Sequence, residues 1–242
     1  MARAKYEDIY ADLKEKIETG EFRTGSILSS EHKLVAEYVC SRNTVRRALA
    51  LLAAQGYVQA KQGVGVRVIY QKPNQTTFAV GGIESFAESA ARNGKEASTQ
   101  LLKYEHIVAD ERVADLTGFA EGTKLLYLMR LRFLENEPLI IDHNYFDESA
   151  IPGITQDIAL HSVYSYIEKE LEVKISTSKR VLTVEHSTCQ DRDNMNMGTY
   201  DCVAVISGQV YDDNGNQIEY TQSRHRPDYF YFQDVASRQP VL

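Results

Sequence analysis

The sequence predicts two α+β units in one chain: a small winged helix-turn-helix, then a larger domain built on a mainly antiparallel sheet. Three observations predict this. Residues 1–70 carry three amphipathic helical patterns and a glycine-bearing hairpin. A polar, proline-containing stretch at 71–77 lacks periodicity and reads as a linker. From residue 78 to 242, helical patterns alternate with long runs of β-formers joined by turn residues.

In the first unit, Tyr6, Ile9, Tyr10, Leu13 and Ile17 recur at helical spacing, and Gly20 stops the helix. After Thr24-Gly25-Ser26, Ser30 is placed to cap a second helix running to Val39, with Leu34, Val35 and Tyr38 as its buried face. A short break at Cys40 precedes Ser41, the expected cap of a third helix whose inner face is Val45, Ala48, Leu49 and Leu52 and which ends at Gly56. Two helices so tightly connected are the sequence form of a helix-turn-helix. Strands are expected at 57–60 and 66–69, joined by Lys61-Gln62-Gly63-Val64-Gly65.

In the second unit, helices are expected at 84–92, 110–116 and 162–171, and strands at 124–133, 138–146, 175–185 and 203–211. Turns at 135–137 and 212–216 should join neighbouring strands as hairpins.

The net charge of −7 divides unevenly: residues 1–70 carry +3 and the rest carry −10. A positive head on an acidic body suits local contact with phosphates, because counterion release depends on the charges at the contact. No run of about 18 apolar residues occurs, and the N-terminus leads directly into a polar amphipathic segment. The expectation is a cytoplasmic protein without a membrane partner. Cys40, Cys189 and Cys202 show no CxxC spacing and are expected to be reduced and packed. No cofactor and no metal site is expected.

In the third helix Arg42, Asn43, Thr44, Arg46 and Arg47 crowd the first turns, opposite the apolar face. A recognition helix needs this arrangement, since its N-terminal side chains reach base edges while its back packs on the domain. Arginine bonds guanine bidentately, asparagine does the same for adenine, and Ser41 or Thr44 can hold phosphates. The alternative is a solvated cationic helix face. The preceding short helix and a following hairpin with Lys61 and Gln62 beside Gly63 favour DNA contact.

The stretch "KYEDIYADLKEKIETGEF", with "SEHKLVAEY" and "SRNTVRRALALLAAQGYV" after it, resembles the head of the GntR family of bacterial regulators over residues 5–68. That resemblance implies DNA contacts from Arg42, Asn43, Thr44, Arg46 and Gln62-Gly63. The sequence departs from the family in two places: Ser29-Ser30-Glu31 stands where Pro-Ser-Glu is usual, and His32 where arginine is common. The candidate DNA-contacting set is Ser30, His32, Ser41, Arg42, Asn43, Thr44, Arg46, Arg47, Lys61, Gln62 and Gly63.

Arg130 and Arg132 lie two apart in an expected strand, so both guanidinium groups project from one face. An anion between them would relieve the repulsion; pairing with Glu135 or Asp142 would do so as well. Glu84-Ser85-Phe86-Ala87 reads as a helix start after Gly81-Gly82, where free backbone N–H groups make an anion site. His161-Ser162-Val163-Tyr164 opens another helix with a capping hydroxyl and a phenol. Each of these is commonly an ordinary cap or core aromatic.

The segments "SFAESAARNGK", "RLRFLENEPLIIDHNYF", "SVYSYIEKELEVKI" and "EYTQSRHRPDYFYF" resemble the UTRA ligand-sensing domain, which shares its fold with chorismate lyase and occurs on the HutC subfamily. The resemblance implies a phosphate held by Ser85, Phe86, Arg130, Arg132, Ser162 and Tyr164, with Ala87 contributing only its backbone N–H. It further implies sugar hydroxyls read by Asp142, Glu219 and His225, and dimerisation through this body. Either Arg224 or Arg226, or both, should pair structurally with an acid. Within the subfamily, "TQSRHRPDYFYFQDVASR", "IIDHNYFD" and "SVYSYIE" look most like trehalose-operon repressors of Gram-positive bacteria. That likeness implies a homodimer on a palindromic double-stranded operator, released by trehalose 6-phosphate.

Two other readings compete with this one. The same regulator could sense another sugar phosphate, such as glucosamine 6-phosphate or N-acetylglucosamine 6-phosphate, since sugar identity depends on pocket shape. An enzyme on sugar phosphates is disfavoured, because no nucleophile with its base and no metal-ligand spacing is visible.

Overall fold

The computed structural model describes residues 5–61, 63–71, 78–79 and 83–232. They fall into two compact units, the second being Thr77–Phe232. Gln62, Gly81, Gly82 and most of the expected linker lie outside the described residues.

The first unit contains α1 (Lys5–Glu18), α2 (Glu31–Glu37), α3 (Arg42–Ala54), β1 (Val58–Lys61) and β2 (Gly65–Val68). Its core joins Ile9, Leu13 and Ile17 of α1 to Leu34 of α2, to Val45, Ala48, Leu49 and Leu52 of α3, and to Val58 and Val68 of the hairpin. The helical periodicity therefore identifies the buried faces. Ser30 and Ser41 cap α2 and α3 as expected, each accepting a backbone N–H from the residue three further on. The strands of the hairpin pair antiparallel, Lys61 with Gly65.

The second helix ends earlier than expected. Val39 stands at φ 46° and is 78% exposed, so the chain leaves the helix after Glu37 to make the turn. A β-branched residue is disfavoured there because its Cβ crowds the backbone in the left-handed region.

The second unit begins with β3 (Phe78–Ala79), α4 (Phe86–Arg92) and β4 (Ala97–Val108). α5 (Glu111–Thr117), β5 (Lys124–Leu134), β6 (Glu137–Asp147), α6 (Gln156–Leu160) and α7 (Val163–Lys169) follow. β7 (Ile175–His186), α8 (Cys189–Asn194), β8 (Cys202–Asp212), β9 (Gln217–His225) and β10 (Phe230–Tyr231) complete it. Six strands form one antiparallel sheet in the order β4-β5-β6-β9-β8-β7. β3 and β10 pair in parallel beside it. The β5–β6 hairpin turns through Glu135 and Asn136, both at positive φ, as a two-residue hairpin loop requires.

One face of the sheet packs Leu126, Leu128 and Phe146 against Ala159, Val163 and Ile167 of α6 and α7. The other buries Met129, Leu131, Ile141, Val203 and Val205 with Met195 and Met197. Coverage of both faces leaves β5, β6 and β8 buried along nearly their whole length, with the charged and polar side chains of β5 and β6 facing inward as well. β4, α6 and α8 carry no strong periodic signal and were not among the expected elements. Cys189 is exposed, which corrects the expectation that all three cysteines are packed. No helix among the described residues is long and apolar enough to cross a membrane.

Relieving the strain at Val39 is expected to stabilise the first unit. Asparagine tolerates the left-handed region, so Val39→Asn should add about 1 kcal/mol. Thermal unfolding of the full-length protein should show the transition of this unit raised by about 4–8 °C.

Candidate functional site

Two clusters of polar side chains stand out, one in each unit. In the first, Ser41, Arg42, Asn43, Arg46 and Arg47 are exposed along α3 while its opposite face is in the core. Ser41 Oγ caps the helix through Thr44 N–H and lies 2.8 Å from Thr44 Oγ1, which fixes the first turn. The arginines then differ in what they touch. Arg46 donates to both carboxylate oxygens of Glu31, at 3.2 and 3.0 Å, an exposed bridge from α3 to α2. The Arg47 guanidinium lies 3.8 Å from the centre of the Tyr6 ring and so anchors α1. Ser30, His32, Lys61 and Gly63 are also exposed, and Gly63 turns the hairpin at φ 79°. Gln62 lies outside the described residues.

In the second unit, all ten expected ligand-contacting residues line one cavity of about 470 Å³. Its floor is the α6/α7 side of the sheet. Phe86 of α4 and the His161-Ser162 turn between α6 and α7 form part of its wall. Register explains why residues distant in sequence meet here: Arg130 pairs with Asp142 and Asp142 with Ser223, while Asn144 pairs with Thr221 and Phe146 with Glu219. Strand neighbours with matched facing deliver their side chains to the same surface.

The polar groups form a connected network. Arg132 Nε donates 2.7 Å to Asp142 Oδ2 and Arg132 Nη1 donates 2.8 Å to Thr99 Oγ1. Ser223 donates 2.6 Å to the other Asp142 oxygen. Burial drives the Asp142 carboxyl up, but Arg132, Arg130 and Ser223 outweigh it and hold the group below its ordinary range. Arg132 thus takes the paired alternative, and with Asp142 rather than Glu135.

Arg130 is different. It is 5% exposed, and its partners are neutral: Asn144 Oδ1 at 2.8 and 3.2 Å, and the Ala159 carbonyl at 3.4 Å. Burial, reinforced by repulsion from Arg132, lowers its pKa to about 9. It remains a cation near pH 7, with no carboxylate directly against it among the described residues. Asn144 turns its amide nitrogen the other way, donating 2.8 Å to Glu219 Oε1 and 3.0 Å to Thr221 Oγ1. Tyr164 donates 2.8 Å to Glu219 Oε2. Burial raises the Glu219 carboxyl against these donors, and it raises the Tyr164 phenol, with Glu219 adding to the effect. Asn144 was missed in the sequence, although it lies two residues after Asp142 on the same face of β6.

The helix starts hold a correction. Ser85 caps α4 in a closed capping box, in which both its N–H and its hydroxyl donate 2.8 Å to Glu88 Oε2. That end is therefore not a row of free donors, because an anion would compete with Glu88. Ser162 caps α7 through Ser165 N–H. His225 is buried, its Nε2 without a hydrogen-bond partner among the described residues, and burial lowers its pKa to about 4. Its neighbours are both structural. Arg224 pairs with Asp191 and Glu185, and Arg226 with Asp228 and Glu137.

A winged helix-turn-helix with an exposed basic third helix, in one chain with a separate α+β unit holding a charged cavity, defines a ligand-responsive DNA-binding regulator. A family model described as "Bacterial regulatory proteins, gntR family" matches residues 5–68, and one described as "UTRA domain" matches residues 92–231. The chain is 36% identical to the HTH-type transcriptional regulator TreR of Bacillus subtilis, over 97% of this chain and 98% of that one. It is 26% identical to the HTH-type transcriptional repressor NagR of the same organism, over 96% and 95%. The solved structure of the possible transcriptional regulator YydK from Bacillus subtilis has a TM-score of 0.81 at 19% identity, over 97% of this chain and 100% of that one; this is a likeness of fold. The effector binding domain of the B. subtilis trehalose repressor has a TM-score of 0.54 at 30% identity, over 59% of this chain and 99% of that one. The chain belongs to the GntR family of bacterial regulatory proteins, with a UTRA domain as its body. It is a transcriptional regulator.

Three outcomes are expected from this geometry. Arg42→Ala should weaken operator binding by about 1–3 kcal/mol without changing stability. Arg47→Ala should instead cost the first unit about 0.5–1 kcal/mol of stability through the lost Tyr6 stack; anisotropy titration and urea unfolding separate the two. For His225, the folded pKa of about 4 lies below the unfolded value of about 6.5, so the unfolded chain binds the extra proton between them. Stability is complete above the upper value and falls as pH drops, by about 2 kcal/mol at pH 5. Urea unfolding at pH 7 and pH 5 should show that decline in the wild-type protein and its absence in His225→Phe.

Proposed function

We propose that the protein is a transcriptional repressor of a trehalose-utilisation operon, released from its operator by trehalose 6-phosphate. Residues 1–70 are its DNA-binding head, 71–77 its linker and 78–242 its effector-binding and dimerisation body. The free homodimer holds a palindromic operator through the exposed side chains of α3 and the wing.

The observation that carries the effector reading is Arg130, a buried guanidinium whose hydrogen-bond partners among the described residues are an amide and a carbonyl. A buried charge without a counter-charge is costly, and a bound phosphate supplies that counter-charge. Arg132 already has Asp142 and serves chiefly to orient it; Ser85 and Ser162 flank the anion. Asp142, Glu219 and His225 then read hydroxyls, since carboxylate oxygens accept several hydrogen bonds and His225 Nε2 has one to give or take. The relationship to TreR and to the trehalose repressor's effector domain supports trehalose 6-phosphate among sugar phosphates. For a 100-fold loss of operator affinity, the ligand must favour the released state by about 2.7 kcal/mol. A few charge-assisted hydrogen bonds suffice.

The test is fluorescence anisotropy of a labelled palindromic operator with full-length protein, titrated with trehalose 6-phosphate, trehalose, glucose 6-phosphate and glucosamine 6-phosphate. Release by trehalose 6-phosphate alone is expected, and Arg130→Met should abolish it while operator binding persists. Release by another sugar phosphate would replace the ligand, and unchanged operator affinity at saturation with all four would overturn the effector reading.

A further inference from the structure

The cavity extends well beyond the groups that hold the phosphate. Strand register aligns Arg130, Asp142, Ser223 and Ile206 in one row and Leu128, Asn144, Thr221, Gly208 and Arg180 in the next, and all of these except Leu128 and Gly208 line the cavity. Neighbouring strands lie about 4.8 Å apart, so from β5 to β7 the floor runs about 19 Å, longer than a single hexose with its phosphate. Ser178, Arg180, Ile206 and Thr221 line the cavity at the β7 end.

Gly208 shapes that end. A Cβ built at Gly208 would lie 3.1 Å from Arg180 Cγ and 3.1 Å from the Lys179 carbonyl oxygen, tighter than side chains ordinarily pack, with Ser178 Oγ at 3.4 Å. The missing side chain lets the Arg180 stem lie across β8 instead of standing away from it. One apolar side chain, Ile206, thus sits among hydroxyls and a guanidinium. A pyranose ring presents the matching surface, with C–H groups on its face and hydroxyls at its edge.

We propose that the β7 end of the cavity, lined by Ile206, Ser178 and Arg180, is a second subsite that binds an unphosphorylated sugar ring. It makes the protein selective for a two-ring sugar phosphate over a one-ring one. The inference rests on the phosphate reading of Arg130 and adds the residues that set the length of the ligand. Arg180 is a specificity-determining residue, donating to hydroxyls of the distal ring, and Gly208 is the position that admits it.

Calorimetric titration of the full-length protein with trehalose 6-phosphate, glucose 6-phosphate and fructose 1,6-bisphosphate tests this. Arg180→Met, which keeps the stem and removes the donors, is expected to weaken trehalose 6-phosphate binding at least tenfold and to leave glucose 6-phosphate within about twofold. Gly208→Ala, which displaces the same stem, should repeat the selective loss, and unchanged melting temperatures establish that both variants fold. Equal losses for the two monophosphates, or no loss for either, would overturn the subsite while leaving the phosphate reading intact. Tighter binding of the bisphosphate than of trehalose 6-phosphate, lost in Arg180→Met, would make this end an anion site and overturn it too. Wild-type protein that binds no phosphate at all would remove both readings together.

Discussion

A guanidinium buried against an amide is the constraint on which the rest of the second unit depends. Arg130 is held by Asn144 and not by a carboxylate, although Glu219 and Asp142 are both close enough to affect its ionisation. Asn144 keeps the cation and Glu219 apart by bonding each through a different atom. Direct pairing would neutralise both groups and leave nothing for a ligand to complete. A network of this kind is costly unless every member is satisfied, and the surrounding sheet supplies that order. β5, β6 and β9 fix the floor by register, and the apolar layers on either side hold the strands in place.

Arg224 in β9 and Arg226 just after it show what a structural cation looks like in the same fold. Arg224 meets Asp191, which is fully buried, and Glu185; Arg226 meets Asp228 and Glu137. Burial works against the charge on Asp191, but Arg224 and the Thr188 donors hold its carboxyl below the ordinary range. These pairs are closed, each cation having acids of its own. Arg130 has no such acid against it among the described residues, and that difference in partners, more than charge or burial, sets it apart from the structural pairs.

The head divides its cations in a similar way. Arg46 and Arg47 lie beside one another in sequence, yet one bridges two helices through Glu31 and the other stacks on Tyr6. Either can still meet a phosphate, but each has an intramolecular contact to give up or share. Arg42 and Asn43, at the start of α3, are exposed, where a recognition helix makes its base contacts. A regulator needs two such sites to be linked by a shift in population between states of the chain.

The sequence alone determined the head almost completely, because its core is made of local helical stripes whose spacing is visible residue by residue. Most of the long strands and the hairpin turns of the body were also legible, and likeness to a known domain pointed to the residues that line the cavity. Val39 was misread as helix because periodicity continues through it while the backbone does not. β4, α6 and α8 escaped notice because half-exposed or very short elements carry little pattern. What only the tertiary structure decided were the partners. That Arg132 takes Asp142 while Arg130 takes Asn144, that Ser85 spends its donors on Glu88, and that Gly208 admits Arg180 all follow from strand register and close approach across the sheet. Spacing along a strand tells which face a side chain shares; which groups stand opposite it is set by neighbouring strands far away in the chain.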